Sequence, residues 1–155
     1  MRERINEATK AAMKAGDKQR LSTLRLMNAA IKDRDIAGRV DSSGQSTGRE
    51  RVDDAEILQL LQKMIKQRRE SEATYRQAGR VDLADQEASE IIVIEEFMPA
   101  QMAEDQVKAA VAGIVDELGA SGLKDMGRTM AALKERYAGQ MDFGKASGFV
   151  KSALS

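Results

Sequence analysis

Apolar residues recur along this chain at three- and four-residue spacing, and no long segment alternates apolar with polar. Ile5, Ala8, Ala12 and Met13 mark a helix over residues 2–15. Gly16 stops it and Asp17 caps the next. Leu21, Leu24, Met27 and Ile31 stripe that second helix, which ends near Ile36–Gly38. The stretch 38–52, GRVDSSGQSTGRERV, has no period and reads as a mobile loop. Asp53 with Glu56 three residues on predicts a capping box before a third helix, whose inner side carries Ile57, Leu58, Leu61, Met64 and Ile65. Gly79 ends it. Asp82 is expected to cap a fourth helix with Leu83, Ala84, Glu87, Ile91, Ile94 and Met98 on its inner side, closed by Pro99.

Beyond Pro99 the helices shorten. Val107, Ala110, Val111, Ile114 and Leu118 predict one over 104–118, stopped by Gly119. Met126, Met130, Leu133 and Tyr137 predict one over 124–137, stopped by Gly139. Phe143, Ala146, Phe149, Val150 and Leu154 predict a last one over 143–154, capped by Asp142. The fold class is all-α, a four-helix N-terminal part over 1–99 followed by a three-helix part over 100–155.

Composition narrows the chemistry. With 3% aromatics and no Trp, the core must be built from Leu, Ile, Val, Met and Ala. Cys and His are both absent, which excludes disulfides, Cys/His zinc sites, iron–sulfur clusters, Cys nucleophiles and a Ser-His-Asp triad. No metal and no cofactor is called for. The charged start MRERINEATKAAMKAG has no apolar h-region, and Ile91–Ile94 is too short to span a bilayer. The expectation is a cytoplasmic protein.

Three motifs invite a catalytic reading. In AGQMDFGKAS, Gly139 and Gly144-Lys145 have P-loop spacing, but Ala146 replaces the hydroxyl that would hold magnesium, and a helix stands where a strand is needed. A helix stop at Gly139 and a cap at Asp142 explain the stretch instead. Ser121 and Lys124 are spaced like an acylase pair without its companion motifs, and read as a loop before a helix. Glu87, Glu90, Glu95 and Glu96 lack the histidines of a carboxylate-bridged metal site and read as a solvated helix face. No catalytic set results.

Charge is more telling locally than overall. The net charge is zero, yet Lys63–Arg80 holds six basic and two acidic residues, and Gly119–Ser155 six basic and three acidic. The first reads as an ordinary solvated face. In the second, Lys124 and Arg128 stand four apart on one expected helix face, where they could neutralise phosphates.

The stretch AGRVDLADQEASEIIVIEEFMPAQMAEDQV (78–107), with the 118–154 segment LGASGLKDMGRTMAALKERYAGQMDFGKASGFVKSAL, resembles the GatB/YqeY family. KAAMKAGDKQRLSTLRLMNAAIKD (10–33) looks like the start of its stand-alone YqeY-type members. The resemblance implies that the C-terminal part is similar to the tail of the B subunit of tRNA-dependent Asp/Glu amidotransferases. These are carbon–nitrogen ligases that use glutamine as amido-N-donor, and their tail reaches the tRNA. The kinase and amidase parts of that enzyme are absent from this sequence. What it implies here is a non-catalytic, tRNA-binding or amidotransferase-associated accessory protein. The partner would be tRNA or a tRNA-handling enzyme, with Lys124, Arg128, Lys134 and Lys145 as candidate RNA contacts. The alternative is a protein–protein adaptor that touches no RNA. One departure from the family pattern is Ala103, where a Ser/Thr cap is favoured, so the fifth helix is expected to start less firmly.

Overall fold

A computed structural model describes residues 1–155, in seven α-helices and no strands, so the fold is all-α. The chain divides into two compact units, Met1–Met98 and Pro99–Ser155.

The first unit holds α1 (Arg2–Ala15), α2 (Lys18–Ala37), α3 (Asp54–Gln77) and α4 (Val81–Glu95). Gly16 takes the left-handed conformation (φ 68°) that ends α1, and Asp17 accepts from the Arg20 N–H to start α2. With so short a joint the two helices fold back on each other, and Asn28 donates to Thr9 across the seam at 3.1 Å. The Asp53–Glu56 capping box opens α3. Three residues separate α3 from α4, which makes them an antiparallel pair. Its ion pairs nest accordingly: Arg76 with Asp85, Arg68 with Glu90, Arg69 with Glu95. Ile5, Leu24, Met27, Ile57, Leu61 and Ile94 are wholly buried at the centre. The first turn of α1 is also fastened to the far end of α4. The Arg4 guanidinium lies 5.5 Å from the Phe97 ring centre and donates to the Glu96 carbonyl, while Arg20 pairs with the Glu96 carboxylate at 2.6 Å.

Two local expectations change. Asp82 is not the cap of α4. Arg80 holds that position, and Asp82 sits inside the first turn, where its charge faces the helix dipole and pairs with Arg80. The 38–52 segment is an organised loop. Asp41 Oδ1 accepts from the Ser43 N–H, the Ser43 hydroxyl and the Gln45 N–H, which holds its carboxyl below the ordinary range. An isolated bridge joins Val40 to Ser46, and Val52 is buried in the core. A latch secures the end of the loop. Asp35 accepts from the Val52 N–H and from both Nη atoms of Arg2, while Arg2 also donates to the Val52 carbonyl.

The second unit holds α5 (Glu104–Leu118), a 3₁₀ turn (Leu123–Asp125), α6 (Met126–Arg136) and α7 (Phe143–Leu154). Val107, Val111, Ile114, Leu133, Met141, Ala146, Val150 and Leu154 form its core. Thr129 is buried there too, its hydroxyl satisfied by the Asp125 carbonyl at 2.8 Å. Ala103 supplies no cap to α5, but Gln106 Oε1 accepts from the Ala103 N–H, so half of a capping box remains.

Candidate nucleic-acid interface

The four cationic candidates of the second unit differ in their surroundings. Lys124 lies in the 3₁₀ turn, which winds three residues per turn and so breaks the four-residue face it was expected to share with Arg128. Arg128 is committed within the unit. Its Nε donates to Asp125 Oδ1 at 2.9 Å and its Nη1 to the Leu118 carbonyl at 3.0 Å, closing the C-terminal end of α5. Asp125 also accepts from the Ser121 N–H, and Arg128 holds its carboxyl below the ordinary range. Arg136 is likewise taken, gripping Glu117 with both Nη atoms at 2.6 and 2.9 Å. Lys134 on α6 and Lys145 in the first turn of α7 are exposed and, like Lys124, in no ion pair. Lys151 in the last turn of α7 shares that state. Lys124, Lys134, Lys145 and Lys151 are therefore exposed cations without an ion pair, while the half-exposed Arg128 and Arg136 are paired within the unit.

The stretch with P-loop spacing is a turn followed by a cap. α6 already ends at Arg136 with Tyr137 as its C-cap, and Gly139 takes the left-handed conformation (φ 73°) in the Tyr137–Gln140 turn. Asp142 Oδ1 accepts from the Gly144 and Lys145 N–H groups at 2.8 and 3.3 Å. Those two donors would have to face a phosphate in a nucleotide site; here a carboxylate occupies them. Asp142→Ala is expected to cost about 1 kcal/mol, a fall of roughly 4–8 °C in the melting of this unit. An unchanged melting curve would mean that the cap is dispensable. Ser121 and Lys124 belong to the turn that starts α6, Ser121 through its backbone.

The acidic residues of α4 prove to be more than a solvated face. Glu90 pairs with Arg68 at 3.0 Å, both side chains being about 15% exposed. Glu95 takes Arg69 and Glu96 takes Arg20. Partial burial, reinforced by Glu90, pushes the Glu87 carboxyl up, and Arg68 opposes this. The basic run Lys63–Arg80 is thus largely answered by acids, most of them across the α3–α4 pair.

One feature escaped the sequence. Gln101, Met102, Gln106, Ala109, Ala110, Tyr137 and Gln140 line an open cleft of about 690 Å³ in the second unit. Gln101, one of the lining residues, donates to the Gly139 carbonyl at 2.7 Å and to the Pro99 carbonyl at 3.2 Å. The Met102 N–H donates to the Gln140 carbonyl beside it. The Pro99-x-Gln101 spacing was the available signal, but Gly139 lies 38 residues away from Gln101. No helix is long and apolar enough to cross a membrane.

No curated protein matches the chain. The family model described as Yqey-like protein matches residues 2–154. With helices, caps and core accounted for over that whole span, the chain belongs to the YqeY-like family.

Proposed function

We propose that this protein is a non-catalytic accessory of tRNA handling, whose second unit contacts tRNA phosphates through Lys124, Lys134 and Lys145. One observation carries the reading: the arginines of the unit are consumed by internal pairs, while these lysines stand exposed and unpaired. The likeness of the 100–155 segment to the amidotransferase B-subunit tail supports the choice of tRNA over other polyanions. Arg128 contributes by holding α5 to α6, with part of its guanidinium left to solvent. The donors that a nucleotide would need at Gly144 and Lys145 are already bonded to Asp142, which disfavours a ligase reading for this chain by itself.

The test is anisotropy of labelled total tRNA against the whole protein across a salt series. Each phosphate contact steepens the slope of log affinity against log salt by about 0.7–0.9. The variant K124Q/K134Q/K145Q is therefore expected to flatten it by about 2–3. Equal slopes for the variant and the unmodified protein would refute the assignment. The cleft favours a second reading, a protein adaptor. Its amides, Tyr137 and Met102 suit an extended peptide, and binding through them would depend weakly on salt.

A further inference from the structure

The solvent face of α2 carries a second cationic array, distinct in residues and in unit from the lysines above. Lys18, Arg25, Lys32 and Arg39 recur every seven residues and are all exposed. Seven residues are close to two helical turns, so the four stand in a nearly straight row, about 10 Å apart over roughly 30 Å. Gly38 keeps the right-handed conformation and the Arg39 N–H bonds the Ile36 carbonyl, so Arg39 follows directly on the end of the helix, just beyond Lys32.

None of the four has an ion-pair partner, in a chain where nine arginines do. Of the acids of α2, Asp35 flanks the row between Lys32 and Arg39, but its carboxylate is occupied by Arg2 and the Val52 N–H. Asp33 is turned about 100° from Lys32. Lys18 stands in the first turn beside the Asp17 cap, whose carboxylate is bonded to the Arg20 N–H and forms no ion pair with Lys18. The row is flanked on one side by Ser22, Ala29 and Ile36, the first two with little side chain to keep a ligand away, and on the other by Leu21, Asn28 and the Arg2-bound Asp35.

We propose that this face of α2 is an RNA backbone contact, with Lys18, Arg25, Lys32 and Arg39 each serving a phosphate. A straight row of unpaired cations matches a linear polyanion. A bilayer suits it less. The apolar stripe that a membrane-lying helix would insert is already spent here, with Leu24, Met27 and Ile31 buried in the unit core. The proposal deepens the tRNA reading by giving the same ligand a second grip, yet rests on none of the same residues. Two contacts on one chain would raise affinity through effective concentration.

The deciding experiment compares three whole-chain proteins binding total tRNA across a salt series: the unmodified protein, R25Q/K32Q/R39Q, and K124Q/K134Q/K145Q. The three side chains are exposed and make no ion pair or side-chain hydrogen bond, so the first variant should keep the unmodified melting curve. The expected result is a slope flatter by about 2–3 and an affinity at least tenfold lower near 0.1 M salt, with the charge-keeping R25K/K32R/R39K binding as the unmodified protein does. Should R25Q/K32Q/R39Q match the unmodified protein while the lysine variant weakens, the α2 contact is wrong and the function above stands. Loss in the α2 variant alone keeps this inference and removes the other. If the unmodified protein binds no tRNA at low salt, both readings fall. Binding to phosphatidylserine vesicles in the absence of tRNA binding would reassign the row to a membrane.

Discussion

Leu133→Ala should melt the second unit about 12–24 °C earlier while the first unit keeps its own transition. Leu133 is wholly buried among Val107, Val111, Ile114, Met141, Ala146, Val150 and Leu154, on the middle of the three helices in sequence. Truncating such a leucine costs about 3 kcal/mol, from lost transfer energy and the cavity left behind. A unit the size of Pro99–Ser155 has only about 3–8 kcal/mol in total at ordinary per-residue stabilities. The change therefore removes between two-fifths and all of it. Thermal circular dichroism should resolve two steps, and hydrogen exchange should localise the early one to α5–α7. Leu133→Met, which keeps the volume, should cost less than about 1.5 kcal/mol. A single unshifted transition for the alanine variant would show that the core does not depend on this residue.

Asp35→Ala is expected to destabilise the first unit by about 2 kcal/mol. It strands the Arg2 guanidinium and the Val52 N–H, which lose their acceptor in a site where Asp35 is 12% and Arg2 24% exposed. The full cost of breaking a buried pair, about 3–5 kcal/mol, is reduced because water still reaches Arg2. The effect should depend on pH with a definite sign. The Arg2 hydrogen bonds, more than any other influence, hold the Asp35 carboxyl below its ordinary value against the opposing effect of burial. The stability gained is then complete above the unfolded value of about 3.9 and fades as pH falls toward the lower folded value. The gap in denaturant midpoint between the unmodified protein and the variant should be wide at pH 7 and narrower near pH 3. A gap that stays constant would mean that the carboxylate charge plays no part in the latch.

Features that rest on neighbours in sequence were legible in it. Gly16, Asp17, Asp53 and Asp142 end or begin helices through groups two to five residues away, and the sequence carries those spacings directly. Asp82 failed as a cap because an acid at the cap and an acid in the first turn look alike until the backbone of Arg80 is known. The loop from 38 to 52 looked unstructured because its anchor, Asp35 with Arg2, comes from outside the segment. Counting charges from Lys63 to Arg80 could not see Glu90 and Glu95 across the helix pair. That Arg128, though exposed, is bonded to Asp125 and the Leu118 carbonyl was not legible, because the 3₁₀ turn before it leaves no mark in residue spacing. The α2 row was hidden by Asp33 and Asp35 lying between its members in sequence, and a helical projection of residues 18–39 exposes it.

The fastening of the first turn of α1 to the end of α4 sets an order on biosynthesis. Arg4 and the Glu96 carbonyl that it meets are 92 residues apart. At roughly 5–20 residues per second, the ribosome delivers Glu96 about 5–18 s after Arg4. Helices form in about a microsecond and small cores collapse soon after, so translation, not folding, sets the wait. Until α3 is made α1 and α2 have only each other, and until α4 is complete the core around Leu24, Met27 and Ile31 stays unfinished. The nascent first half of this chain is thus the stage at which a chaperone has most to bind, and the arrival of Phe97 is what ends it.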